Sequence, residues 1–424
     1  MQLRADTALR ERAARVIPNG MYGHQATHLL PPGFPQFFSS AHGARIRDAD
    51  GNSYIDLMCA YGPNLFGYAD PEIDAAYIGQ LRLGDTMTGP SPLMVELAER
   101  LTARIGHADW VIFCKNGTDA TTMALEVARA TTGRRKVLTA YGAYHGSAPW
   151  CTPVKAGTLP EDRAHLPHFL YNDIASLEAA VAEAGTDLAA IVASPFRHDA
   201  FFDQEEPTAD YARAVRALAD RAGALLIVDD VRAGFRVARD CSWSKLGVAP
   251  DLSSWGKCIA NGHPISFLAG SDSARKGAEA IYATGSFWFS AAPMAAALAT
   301  LDRIENSYYL ERLNDLGNRL RRGLDTSAAR HGFSLKQTGP VQMPQILHAE
   351  DPDFARGFAF AEEMLARGIY LHPWHNMFLN AAMTETDIDQ VIAAADDAFP
   401  ALRERLSTLA PHPGVVALMS SVAG

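Results

Sequence analysis

Two kinds of group with complementary chemistry follow one another along the chain: the carboxylates Asp229 and Asp230, and the amine of Lys257. The acids end an unbroken apolar run, Ala224 to Val228, too short for a helix and β-branched at Ile227 and Val228, which reads as a strand buried on both faces. In an open α/β sheet ligands collect beyond the carboxyl ends of the strands, so an acid at such an end meets whatever is bound. A second short segment, Pro250 to Trp255, leads through Gly256 to Lys257 and the loose sequence Ala260 to Pro264, which puts the amine on a strand-end turn facing the same crevice. An amine condenses with an aldehyde, and a carboxylate keeps a pyridine nitrogen protonated so that the ring draws off the electrons of a carbanion. That pairing describes pyridoxal phosphate chemistry. A surface lysine on a turn and an aspartate capping the next element describe the same two residues with no cofactor at all.

Two further stretches bear on the choice. Phe113 to Gly133 reads as a strand end, a tight turn at Gly117 and a helix opening at Thr118 or Asp119. The unpaired N–H groups and positive dipole end of such a turn suit a phosphate, with the Thr118 hydroxyl as an added donor; plain capping by Asn116 or Thr118 explains the same residues. The glycine spacing of neither a dinucleotide fold nor a P-loop is present, which disfavours a nicotinamide oxidoreductase. Tyr141 to Trp150, YGAYHGSAPW, follows another strand and offers Tyr144 as a flat ring to stack on a flat cofactor, with core packing of Tyr144 and a loop role for His145 as the alternative.

These residues need a scaffold. The spacing predicts an amphipathic helix over Asp6 to Val16, stopped by Pro18-Asn19-Gly20, a loop over Met21 to Phe38, and a β-hairpin over Ala44 to Met58 around a DADGN turn. From Pro71 helices alternate with short apolar strands. Helices fall near Pro71 to Arg82, Pro92 to Ile105, Thr118 to Thr131, Ile174 to Glu183 and Asp210 to Ala222. Strands fall near Trp110 to Cys114, Lys136 to Ala140, Ala189 to Ala193, Ala224 to Val228 and Ile265 to Ala269. That alternation predicts an α/β fold with a mostly parallel sheet flanked by helices. A helical stretch over Pro293 to His331 and an α+β tail follow, giving an N-terminal segment 1–60, a large domain 61–305 and a smaller C-terminal domain 306–424.

The bulk composition narrows the partners. At 424 residues, with 48% hydrophobic and 20% charged residues, the chain is an ordinary globular protein of more than one domain. A net charge of -10 and the lack of any basic run disfavour nucleic acid and anionic lipid. No apolar run reaches membrane-spanning length and the start has no signal-peptide core, so neither a membrane nor export is expected. Five scattered cysteines without metal-type spacing fit reduced thiols in the cytoplasm, and no metal site.

Taken together, NGTDA at Asn116, YGAYHG at Tyr141, LLIVDDVRAGFR at Leu225 and SSWGKCIANGHP at Ser253 resemble, in order and rough spacing, the class III aminotransferases, which are fold type I pyridoxal phosphate enzymes. The glutamate-1-semialdehyde aminomutase branch is the nearest likeness. ERAARVIPNG, GARIRDADGNSYIDL, TGRRKVL, GVAPDLS, GIYLHPW and TETDID extend it over roughly Glu11 to Phe399. The resemblance implies that Lys257 forms the Schiff base and shuttles protons, that Asp229 pairs with the pyridine nitrogen, that Val231 packs under the ring and Tyr144 above it, and that Gly117 and Thr118 hold the phosphate, with Asn116 and His145 beside them. It also implies a homodimer.

The departures concern the substrate. Ser194-Pro195 stands where the family has Glu-Pro, and Arg232 and Arg197 add cations that suit an acidic substrate group, unless they pair with Asp199, Asp203 or Asp230. The N-terminal loop has no arginine and the LHPWHNMFLN segment no glutamate, which argues against glutamate-1-semialdehyde itself. Trp288 aligns with a threonine that reaches the partner subunit's phosphate, leaving Ser286 or Thr284 as substitutes. Tyr61, Trp288 and His375, with Phe37, Phe38, Phe287, Phe289 and Trp374, suit a bulky, cyclic or aromatic-like acceptor. The expectation is an aminotransferase moving an amino group from an amino acid donor to a keto or aldehyde acceptor. An intramolecular aminomutase or epimerase, or a binding protein of this fold without the cofactor, are the alternatives.

Overall fold

A computed structural model describes residues 3–197 and 202–423. It divides into two compact units, one of 1–70 with 311–424 and the other of 71–310.

The first unit opens with α1 (Arg4–Val16), then β1 (Phe38–His42), β2 (Arg45–Asp48) and β3 (Ser53–Asp56). The hairpin β2–β3 closes where expected, because Asp48 accepts from the N–H of Asn52 at 2.8 Å and from the Tyr54 hydroxyl at 2.8 Å. β1 lies within and beyond the stretch read as a loop. It pairs antiparallel with β2, but four of its five residues are exposed, so it carries no apolar alternation to betray it.

The second unit follows with α2 (Pro71–Leu83), α3 (Leu93–Arg104), β4 (Trp110–Cys114), α4 (Gly117–Thr132), β5 (Lys136–Ala140), β6 (His168–Phe169), α5 (Ile174–Ala184), β7 (Leu188–Ala193), α6 (Ala209–Ala222), β8 (Leu225–Asp229), β9 (Leu252–Trp255), β10 (Ser266–Gly270), α7 (Arg275–Ala280) and α8 (Ala291–Asn306). Its seven strands run in the order β4-β10-β9-β8-β7-β5-β6. Strands β5 to β9 are mutually parallel, and β10 runs against both β9 and β4. β8 has a strand on either side and is buried along its whole length, which is why it reads as a continuous apolar run. α4 packs its buried face, Ala120, Met123, Ala124, Val127 and Ala128, into a core shared with Val192, Ile227, Leu252 and Leu268.

The chain then returns to the first unit through α9 (Tyr309–Arg330), β11 (Leu335–Thr338), β12 (Gln345–His348), α10 (Ala355–Ala366), β13 (Ile369–Tyr370), α11 (Glu385–Arg405) and α12 (Pro413–Ala423). The helical stretch read as continuous from Pro293 is two helices, broken where Ser307 is extended. The first and last segments of the sequence pack together because β13 adds to β3 in parallel, pairing Ile369 with Ile55 and Tyr370 with Asp56. No helix among the described residues is long and apolar enough to cross a membrane.

Candidate active site

The turn between β4 and α4 is built around Asp119. Its carboxylate reaches back to accept from the N–H of Asn116 at 2.9 Å and of Lys115 at 3.3 Å, so the helix is capped from inside its own first turn. The Thr118 hydroxyl accepts from the N–H of Ser147 at 3.1 Å, and the buried Thr121 hydroxyl donates to the carbonyl of His145 at 2.7 Å. These two bonds fasten the aromatic turn after β5 onto the first turn of α4. Glycine is required at 117: a Cβ there would lie 2.5 Å from a methyl of Val231. The close approach brings the Val231 side chain against the start of α4, and the leading N–H groups of such a helix can bind an anion.

Asp229 ends β8 and is buried. Its Oδ2 accepts from Nδ1–H of His145 at 2.7 Å, and its Oδ1 accepts from the N–H of Val231 at 3.2 Å. The carboxylate is thereby fixed in direction by two donors. His145 is itself held by a parallel stack on Trp150, 6.2 Å between ring centroids, and Trp150 donates to the Thr122 hydroxyl at 2.9 Å. The sequence reading places His145 beside the cofactor; its bond to Asp229 joins residues too far apart in the chain to leave a local signal, Thr121 carries no signal of its own, and Asp119 reads only as a possible helix start. The next acid, Asp230, turns the other way, accepts from the N–H of Ser242 at 2.8 Å, and is pushed up to about 6 by burial.

Lys257 follows Gly256, where a Cβ would lie 2.7 Å from the Ser266 hydroxyl and 3.4 Å from a Val231 methyl. Its own backbone is left-handed, with φ +48°, an uncommon conformation for a residue with a side chain and one that is found at functional sites. Burial, with the guanidinium groups of Arg232 and Arg236, lowers its amine from 10.5 to about 8. Arg232 also counters the burial that raises the Tyr144 hydroxyl, so its charge is felt at both the amine and the aromatic turn.

The remaining residues named from the sequence fall in different surroundings. Arg197 is bridged to Glu205 through the backbone, its guanidinium 3.9 Å from the Glu205 carboxylate and stacked over Phe202 at 4.8 Å. Asp199, one of its suggested partners, lies outside the described residues. Trp288 packs on the core cluster beneath α4, while Ser286 and Thr284 stand exposed on the same segment. In the first unit Tyr61 and His375 come together, ring centroids 5.3 Å apart and edge to face, with His372 at 6.4 Å from Tyr61.

The residues fit pyridoxal phosphate: a glycine turn at the start of α4 with Val231 packed against it, a strand-end acid held by an imidazole, and an amine with a lowered proton affinity. Comparison with known proteins agrees. Residues 31–392 match the family "Aminotransferase class-III". An aminopentol aminotransferase of Sphingopyxis macrogoltabida is 58% identical over 96% of each chain. A glutamate-1-semialdehyde 2,1-aminomutase of Dichelobacter nodosus is 32% identical over 93% of this chain and 98% of its own. Among solved structures, the pyridoxal phosphate internal aldimine form of the FumI protein of Sphingopyxis sp. MTA144 superposes with a TM-score of 0.96 and 57% identity, covering 97% of this chain and 99% of its own. The chain belongs to the class III aminotransferases, fold type I enzymes that work with pyridoxal phosphate.

Proposed function

We propose that Lys257, Asp229, His145, Val231, Tyr144, Gly117 and Thr118 are the machinery of this aminotransferase, and that its amino donor is an amino alcohol of the aminopentol kind. The donor class is supported by the 58% identity to the aminopentol enzyme along 96% of both chains. The observation that carries the residue roles is the Asp229 carboxylate, fixed between His145 and the Val231 N–H at the end of the central strand.

Pyridoxal phosphate, when bound, supplies the aldehyde carbon that takes up the amino group and the ring that accepts the donor's electron pair. The N–H groups of Gly117 and Thr118 hold its phosphate, with Asn116 shaping the turn. Asp229 keeps the pyridine nitrogen protonated, and His145 holds Asp229 in that direction. Val231 supports one face of the ring and Tyr144 covers the other. Lys257 Nζ, lowered to about 8, is in part uncharged at neutral pH, so it can take the proton from the donor carbon and return it to the acceptor carbon. Arg232 offers its guanidinium to a carboxylate on the keto acceptor, an assignment supported by its electrostatic reach to both Lys257 and Tyr144. Arg197, held by Glu205 and Phe202, is the weaker choice for that role. Trp288, in the same unit as these residues, completes the proposed substrate set.

A cytoplasmic homodimer is part of the same reading. Leu83, Val95, Tyr282 and Phe287, all in the second unit, are 81%, 61%, 91% and 62% exposed in a single copy and offer apolar side chains to a second copy. Ser286 lies between Tyr282 and Phe287 and is the residue proposed to reach the partner's phosphate. The test is Lys257→Ala with aminopentol as donor and pyruvate as acceptor. Loss of amino transfer with an unchanged melting temperature is expected; retained transfer would refute the assignment.

A further inference from the structure

Among the described residues the ring of His145 makes a single hydrogen bond. Its Nδ1–H goes to Asp229 at 2.7 Å, since an ionised carboxylate only accepts, and this leaves a lone pair on Nε2. Nε2 is buried and meets no hydrogen-bond partner among those residues. A ring held by one bond is free to swing about it, so the plane of the imidazole has to come from packing.

Trp150 supplies that packing. Its indole lies against the imidazole as an offset parallel stack, 6.2 Å between ring centroids and 15° between planes. The indole is itself held from two directions. Its Nε1–H donates to the Thr122 hydroxyl on α4 at 2.9 Å. Its backbone sits in a tight turn, where the Ala148 carbonyl accepts from the N–H groups of Cys151 and Thr152 at 2.9 and 2.8 Å, and Arg163 donates to the carbonyls of Pro149 and Thr152. Between the two rings the chain is pressed onto the same helix: Thr121 donates to the His145 carbonyl, and a Cβ at Gly146 would collide with the Thr118 hydroxyl. Neighbouring residues of α4, Thr121 and Thr122, thus fasten the backbone of one ring and the edge of the other.

We infer that Trp150, locked by Thr122, is a positioning residue: it sets the plane of His145 and, through it, the direction in which Asp229 presents its carboxylate to the pyridine nitrogen. The inference rests on the reading that Asp229 pairs with that nitrogen. The helix that fastens the indole begins with the Gly117 turn, so the proposed phosphate end and pyridine end of the site are mounted on one element.

Three substitutions separate positioning from core filling. Trp150→Leu keeps an apolar side chain and removes the flat face, Trp150→Phe keeps a flat face and loses the N–H, and Thr122→Val keeps the shape and loses the acceptor. The first readout is the downfield proton resonance of His145 Nδ1–H, recorded on the full chain with and without cofactor and assigned by its loss in His145→Phe. It should persist in Trp150→Phe and Thr122→Val and broaden away in Trp150→Leu. The second is the dissociation constant of pyridoxal phosphate in equilibrium dialysis, expected to rise about tenfold in Trp150→Leu and about threefold in the other two, the scale of one misdirected hydrogen bond. A resonance and dissociation constant that Trp150→Leu leaves unchanged, or that Trp150→Phe alters as much as Trp150→Leu does, would overturn the inference, as would a lower melting temperature with neither readout moved. Should Trp150→Leu not fold, an unchanged dissociation constant in Thr122→Val overturns it. Asp229→Asn tests the reading beneath: if that variant binds the cofactor as before, the acid does not hold it, while the resonance in Trp150→Leu still decides whether the indole orients His145.

Discussion

The amine of Lys257 gives the sharpest quantitative expectation. A lysine in water holds its proton to 10.5, and this one is lowered to about 8, chiefly by burial and next by the Arg232 charge. At pH 7.5 about one amine in four is then uncharged, against about one in a thousand for an ordinary lysine, a gain of more than two hundredfold in nucleophile. Arg232→Met keeps the length of the side chain and removes its charge. The amine should then hold its proton more tightly, moving the midpoint up by roughly one pH unit, the usual effect of a near charge. At pH 7.5 the uncharged share falls to about one in thirty, so reaction of the amine slows roughly eightfold there and recovers by pH 10. The assay needs no cofactor. Apoenzyme is treated briefly with limiting acetic anhydride across pH 6 to 11, and the acetylated Lys257 peptide is measured by mass spectrometry. A midpoint near 10.5 in the wild type would refute the account of burial, and a midpoint that Arg232→Met leaves unmoved would refute the part assigned to Arg232.

Three more outcomes follow from the geometry. Gly117→Ala drives a Cβ into Val231 and should weaken binding of pyridoxal phosphate by on the order of tenfold or more in equilibrium dialysis, whereas the same change made in a Val231→Ala background should weaken it much less relative to Val231→Ala alone, because the colliding methyls are gone. His145→Phe retains the stack on Trp150 but strips Asp229 of its side-chain donor, so urea unfolding should show a loss of about 1–3 kcal/mol along with weaker cofactor binding; an unchanged protein would mean that the bond does not orient the acid. Asp56 is raised by burial to about 6 from 3.8, so the folded state holds an extra proton between those values. Its contribution to stability, on the order of 3 kcal/mol, is present in full below about pH 4 and is lost as pH rises through 6; Asp56→Asn should flatten the melting temperature over that window relative to wild type.

Much of this was readable without coordinates, for identifiable reasons. β8 and its acids were legible because a central parallel strand must be apolar on both faces, and a charge can appear only where the sheet stops. Helices α4, α5 and α6 show their apolar periodicity and end at Gly133, Gly185 and Gly223, so their limits fell within a residue or two, whereas the short α7 was not foreseen. β1 was hidden because most of it faces solvent, and β6 because two residues carry no period. The bond from His145 to Asp229 was hidden for another reason: which loop residue finds a given acid depends on the order of strands in the sheet, and order is not written locally. The turn at Cys59 to Gly62, left-handed at all four residues, was the least legible of all. Only Gly62 has the residue type expected of it, and the conformation of the other three comes from Asp56, Phe378 and Asn380.

The sheet order also explains why one strand breaks the parallel pattern. The groups assigned to the cofactor come from the ends of β4, β5, β8 and β9, and these must lie along one edge. Parallel pairing puts the carboxyl ends of β5, β8 and β9 there directly. β4 lies beyond β10, and because β10 runs against both β9 and β4, two reversals return β4 to the common direction and bring Cys114, and so Gly117, to the same edge. The start of β10 is thereby laid at that edge too, where Ser266 sits against Gly256 and donates to the Lys115 carbonyl at 3.3 Å. One residue thus touches both the turn that carries the amine and the strand end that leads into the proposed phosphate cradle. A parallel β10 would point its first residues to the far edge, and the amine and the cradle would lose their shared support.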